Sequence, residues 1–144
     1  LVRKMRIAHL VEIFGNLDLH VVGDVLVFLY ALEELALLSA LLLIDSEDLL
    51  VASASACHKL WYLHLCAEAG ISVYSYIDRA EGTMLEGEKG CFTGICLKPE
   101  ITLRKGDDIE RALHLHHRAH ELCFIANSLN FQISCQPVIT HSVD

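Results

Sequence analysis

Two stretches hold the residues best able to do chemistry. The first is ASACHKLWYLH at 54–64, where Cys57 and His58 stand in an alanine- and serine-rich run and Trp61 and His64 follow at helical spacing. The second is HLHHRAHELC at 114–123, with His114, His116, His117, His120 and Cys123. A thiol does redox or nucleophilic chemistry when a cation or dipole stabilises its thiolate and solvent can reach it. On a helix, His116, His120 and Cys123 fall within about 60° of one another. Such a face suits a tuned redox cysteine or a metal ion, since His-x-x-x-His sets two nitrogens one turn apart. Packing is the plainer explanation: a cysteine in an alanine-rich helix commonly serves as a small buried hydrophobe. No fourth ligand at recognisable spacing accompanies the histidines, which weakens a zinc module.

The other candidates carry less. His64 lies two turns beyond Cys57, too far along a helix axis for direct contact. Cys66 and Cys135 sit in apolar contexts, Cys91 and Cys96 share a strand-like segment, and packing accounts for all four. Tyr74 and Tyr76 read as one strand face used for packing or an interface, with no basic neighbours to suggest nucleic acid.

Positioning these groups requires a long helix. Asp45 or Ser46 can cap it, Glu47 and Asp48 favour its positive end, and Gly70 stops it. At 1.5 Å per residue such a helix runs roughly 36 Å, the width of a small domain. The Ala and Ser at its middle imply close approach by neighbouring backbone. Asp107 opens a second helix, with Glu110 completing a capping-box-like pair, that extends to about residue 128. Strict alternation marks strands at 71–78, 95–104 and 131–139, with Pro99 indicating an edge or a bulge. Upstream, apolar runs at 6–14 and 17–22 flank Gly15-Asn16 as a hairpin. The pattern is α+β: helices packed on antiparallel sheet.

Length and charge bound the rest. The 144 residues suit one domain, and 53% apolar content with a net charge of -8 excludes disorder and general nucleic-acid binding. The six cysteines are expected as thiols in a reducing cytoplasm, because a chain this rich in Leu and Ala needs no disulfide staples. The opening residues lack the apolar core of a signal peptide, so export is not expected. Residues 25–44, VLVFLYALEELALLSALLLI, have the length of a membrane span. Glu33 and Glu34 near their centre argue for buried core instead.

The segments EDLLVASASACH at 47–58 and HELCFIANS at 120–128 resemble the OsmC/Ohr family of thiol peroxidases. The resemblance extends through WYLHLCAEAG at 61–70, AEGTM at 80–84 and Asn130-Phe131, in the branch whose second cysteine precedes Phe-Ile-Ala-Asn-Ser. It implies a single domain over 1–144, with a divergent 1–45 and a family-like core at 46–140. It also implies an OsmC-like fold in which antiparallel sheet packs on a long central helix, assembled as an intertwined homodimer. Family members reduce organic hydroperoxides with a cysteine pair and no cofactor or metal. Carried over by motif, Cys57 is the peroxidatic thiol, Cys123 resolves its sulfenic acid as a disulfide, and a dithiol of lipoyl type reduces that disulfide.

Glu47 matches the family's active-site carboxylate. Ten helical residues put it roughly 15 Å from Cys57 along the axis, so it is expected to serve the partner subunit's thiol. The family also places an arginine on an N-terminal strand, whereas residues 16–46 contain no Arg or Lys and only Arg3, Lys4 and Arg6 precede them. That departure supports an alternative, a non-catalytic dimeric protein of the same fold binding a hydrophobic small molecule. No nucleic-acid or membrane partner is expected.

Overall fold

The computed structural model describes residues 2–6 and 45–143. The expected hairpin and the apolar run at 25–44 lie outside the described residues, apart from Arg6. The described elements are strand β1 (Val2–Arg6), helix α1 (Ser46–Glu68), strands β2 (Val73–Asp78), β3 (Glu81–Leu85), β4 (Cys91–Leu97) and β5 (Pro99–Leu103), helices α2 (Ile109–Leu122) and α3 (Phe124–Ser128), and strands β6 (Gln132–Cys135) and β7 (Val138–His141). The α+β class and the long helix stand as expected.

Helix α1 has its punctuation in the sequence. Asp45 is the N-cap, accepting from the Asp48 N–H at 2.9 Å, and Glu47 and Asp48 occupy the first turn. Past the last turn, Gly70 adopts a φ of +74°, a left-handed conformation open to glycine at little cost.

The strands form two sheets, ordered β1-β3-β4-β6 and β2-β5-β7. The pairs β1–β3, β3–β4 and β2–β5 are antiparallel, while β4–β6 and β5–β7 are parallel. The expected all-antiparallel pairing is thus corrected to mixed sheets. The segments 95–104 and 131–139, expected as continuous strands, each break where the chain passes from one sheet to the other. The first breaks at Lys98, and the second between Cys135 and Val138. Hydrogen bonds hold this corner: Lys98 N–H donates to the buried Asp78 Oδ1 at 2.7 Å, and Gln136 N–H donates to the Leu97 carbonyl at 2.8 Å. Alternation continues across such a bend, so the pattern hides it. A bulge between Val73 and Ser75 also separates the two tyrosines expected on one face, leaving Tyr74 exposed and Tyr76 buried.

Each half of α1 serves one sheet. Val51 and Ala54 pack with Ala80, Ile95, Leu97 and Ile133 beneath the first sheet, and Tyr62 and Cys66 pack with Tyr76, Ile101, Leu103, Ala112 and Ala119 beneath the second. Close approach is real at Gly82, where an added Cβ would lie 2.7 Å from Val51 Cγ2. Among the described residues no helix is long and apolar enough to cross a membrane.

Candidate active site

Cys57 lies midway along α1, where the two packed halves of the helix meet, and is half-buried. Cys123 reaches it from a break that the sequence did not reveal. The helix expected to run to residue 128 ends at Leu122, and Cys123 is extended (φ -70°, ψ 110°), closing α2 and capping α3. Its Sγ accepts from the Ala126 N–H at 3.5 Å, and Asn127 Nδ2 donates to the Glu121 carbonyl at 2.9 Å, satisfying an acceptor at the break. The break leaves the Cys123 thiol near enough to Cys57 for the two side chains to interact. Burial raises the Cys123 pKa, the Ala126 N–H opposes that rise, and the Cys57 contact adds to it. Cys123 is therefore held as a neutral thiol.

Helix α2 also begins one residue later than expected. Asp108 is its N-cap, accepting from the Arg111 N–H at 3.0 Å. Asp107 instead accepts from Ser72 N–H at 2.6 Å and from Arg104 Nη2 at 2.8 Å.

Cys57 opens onto a groove of about 400 Å³ lined by Cys57, Leu60, Trp61, His64 and Phe124. Trp61 is flanked edge-to-face by Phe124 and by His64, each ring centroid 5.9 Å away. His64 pairs with Glu68 at 3.5 Å when protonated. An apolar wall beside a thiol suits a substrate with a hydrocarbon body and one polar reacting group. Glu47 is not brought to this groove within the chain. It sits ten residues before Cys57 on the continuous α1, beside Ser46, whose Oγ donates to its Oε2 at 2.7 Å.

The sequence profile of OsmC-like proteins matches residues 43–137. The chain belongs to the OsmC-like protein family. No curated protein matches it. Among solved structures it resembles an OsmC-like protein of unknown function from Vibrio cholerae, with 31% identity and a TM-score of 0.62 over 66% of this chain and 64% of that one. This chain thus spans somewhat less than two thirds of the Vibrio protein. It also resembles an organic hydroperoxide resistance protein OsmC from Legionella pneumophila, at 24% identity and TM-score 0.51 over 67% of this chain and 69% of that one. The organic hydroperoxide resistance protein OhrB of Bacillus subtilis resembles it at 20% identity and TM-score 0.52, over 67% and 70% of the two chains. These last two likenesses establish the fold alone.

The OsmC-like core holds a second cluster that sequence reasoning did not assemble. His116, expected on one face with His120 and Cys123, is turned into the core. Its Nδ1 lies 3.0 Å from His58 Nε2, and Cys135 Sγ lies 3.7 Å from the His58 nitrogen and 3.8 Å from the His116 nitrogen. Tyr62 stacks on His116 at 3.9 Å between ring centroids. Burial, assisted by the nearby His120, lowers the His58 pKa to about 4. Burial, assisted by His58 and His117, lowers that of His116 to about 3, so both rings are neutral at pH 7. Burial, with Asp78 and Cys96 adding to it, pushes the Cys135 thiol up to about 12. The three residues come from α1, α2 and the sheet corner. The only sequence signal was the oddity of two histidines at positions whose helical neighbours are core.

Proposed function

We propose that this chain is a thiol-dependent peroxidase that reduces organic hydroperoxides to alcohols. The reading is carried by the nearness of Cys57 and Cys123, whose side chains interact, beside an open apolar groove. The Cys57 thiolate attacks the terminal oxygen of R–O–O–H, the weak O–O bond breaks, and the departing alkoxide takes a proton to leave as R–OH. Cys57 is then a sulfenic acid. Attack by the Cys123 sulfur forms the disulfide and expels water, and a dithiol reductant restores both thiols while becoming a disulfide itself. Leu60, Trp61 and Phe124 hold the hydrocarbon body of the peroxide.

The chain acts as a homodimer in this reading, with Glu47 supplied to the partner's Cys57. Support comes from Leu49 and Leu60, 51% and 68% exposed on α1, and Phe124, 70% exposed beside the groove, an apolar surface that a second copy would cover. The family places its cation on an N-terminal strand, and β1 is the described strand nearest the N-terminus. That strand pairs with β3 in the sheet packed on the first half of α1, with Arg3 opposite Met84 and Lys4 opposite Thr83.

The test is peroxide consumption by the reduced protein with cumene hydroperoxide and dihydrolipoamide. Turnover is expected, with loss of activity in Cys57→Ser. No consumption, or full activity in Cys57→Ser, overturns the reading. The second reading, a dimeric binder of hydrophobic small molecules, draws on the groove's lack of any Lys or Arg among the described residues that line it. It predicts slow alkylation of Cys57 at pH 6, where the peroxidase reading predicts rapid reaction.

A further inference from the structure

We propose that His58, His116 and Cys135 form a buried binding site for one copper(I) ion, coordinated by His58 Nε2, His116 Nδ1 and the Cys135 thiolate. The three donor atoms lie within 4.8 Å of one another and come from three separate elements, so tertiary structure alone assembles them. The site is distinct from the Cys57–Cys123 pair, and the inference does not rest on the peroxidase reading.

The geometry fits three-coordinate metal. With metal–nitrogen bonds of about 2.0 Å and a metal–sulfur bond of about 2.3 Å, a trigonal site needs donor separations of about 3.5 Å between nitrogens and about 3.7 Å between each nitrogen and the sulfur. The nitrogen–sulfur edges are already 3.7 and 3.8 Å. The nitrogen–nitrogen edge, 3.0 Å with one proton shared between the rings, must open by about 0.5 Å, the difference between a hydrogen-bonded pair and a metal-bridged one. The two ring planes are inclined by only 7°.

The metal-free arrangement carries an unpaid polar group. Whichever ring donates the shared proton, the other must hold its own proton on the far nitrogen, yet among the described residues neither His58 Nδ1 nor His116 Nε2 has a hydrogen-bond partner. A buried N–H without an acceptor costs about 1–3 kcal/mol, a cost that both the metal-free pair and the metal-bound one carry.

Donor chemistry and burial select the ion. Thiolate with imidazole favours copper(I) and zinc(II) over harder cations. Structural zinc takes four ligands, and among the described residues no fourth His, Cys, Asp or Glu joins the cluster. Copper(I) accepts three, and with one thiolate the site carries no net charge, which suits a position where His58 and His116 are at most 4% exposed. On binding, Cys135 gives its thiol proton to water and the shared ring proton moves to the far nitrogen of its own ring. The metal changes no oxidation state. Cys135, half-buried at the sheet corner, is the way in.

The test uses reduced full-length protein in which Cys57, Cys123 and the exposed Cys91 are replaced by serine, titrated anaerobically with copper(I) against bathocuproine disulfonate. One ion per chain is expected, with affinity falling by about a hundredfold or more when Cys135→Ser is added and likewise for His116→Gln. Because either added change could unsettle the core, X-ray absorption on the copper-loaded parent gives a second measure, expected to show two nitrogen neighbours and one sulfur. No uptake, an all-sulfur shell, affinity indifferent to both added changes, or uptake of zinc(II) in preference to copper(I) would each overturn the proposal.

Discussion

Cys57 and Cys123 differ in surroundings, as the proposed division of labour would require. Cys57 is half-buried and opens onto the groove. Cys123 is 1% exposed, and burial raises its pKa, so under the proposed peroxidase reading it would meet no substrate first and would react only with an oxidised Cys57. The same logic of local environment governs Asp107, whose side chain is 7% exposed and ties the start of β2 to the approach to α2. The Ser72 N–H, and then the Arg104 guanidinium, hold its carboxyl below the ordinary carboxylate range. A folded-state pKa below the unfolded one means that Asp107 stabilises the fold when ionised, above about pH 4, and that this contribution disappears as pH falls through the folded value. Asp107→Asn should therefore be less stable than the parent from pH 5 to 7, with the gap closing as pH falls from about 4. Urea midpoints across that range read the gap, and a pH-independent gap would show that the carboxylate's charge is irrelevant.

At the scale of elements, close approach sets the cost of change. Gly82 on β3 leaves room for Val51 of α1, and a Cβ there would meet Val51 Cγ2 at 2.7 Å and Phe92 Cε1 at 3.0 Å. Valine has no flexible end to move aside, so Gly82→Ala should destabilise by about 1–3 kcal/mol, read as a lowered denaturant midpoint at unchanged slope. An unchanged midpoint would mean that α1 rides freely on the sheet. This contact also marks what the sequence could tell. The dense Ala and Ser of α1 announced close approach, and its ends were legible because an Asp cap and a Gly stop act within one turn of the residues they serve. The break at Cys123 was not legible, since the apolar and polar periods of α2 and α3 run on through it, and it shows in the extended Cys123 backbone and in the Asn127 bond to the Glu121 carbonyl. The corner at Lys98 and Gln136 escaped for a like reason: alternation records which face a residue takes, not the direction of the strand. Cys57, Cys123 and Glu47 were assigned through motif resemblance. The His58–His116–Cys135 cluster was not, because spacing on one helix cannot foresee a partner 77 residues from His58.

For the whole molecule, the question is whether the chain's site is complete alone. The straight α1 keeps Glu47 about 15 Å along the axis from Cys57, beyond any direct contact. Leu49, Leu60 and Phe124 meanwhile leave an apolar surface on the same helix and beside the groove. Both observations are accounted for if a second copy covers that surface and brings its own Glu47 to the thiol, as a twofold axis would allow. The consequence is separable from mere dimerisation by mixing two inactive variants. Glu47→Gln and Cys57→Ser should each be a dimer by light scattering and each nearly inactive toward cumene hydroperoxide. When they are unfolded and refolded together in equal amounts, about half the dimers are mixed, and each mixed dimer joins one intact Cys57 to one intact Glu47 across the interface. Since the other site in that dimer lacks both groups, activity should recover to about a quarter of the parent's. If Glu47 instead served its own chain, no mixed dimer would contain a complete site and the mixture would stay inactive. Full activity in Glu47→Gln alone would remove the carboxylate from the reaction and leave the exposed leucines as a purely structural interface.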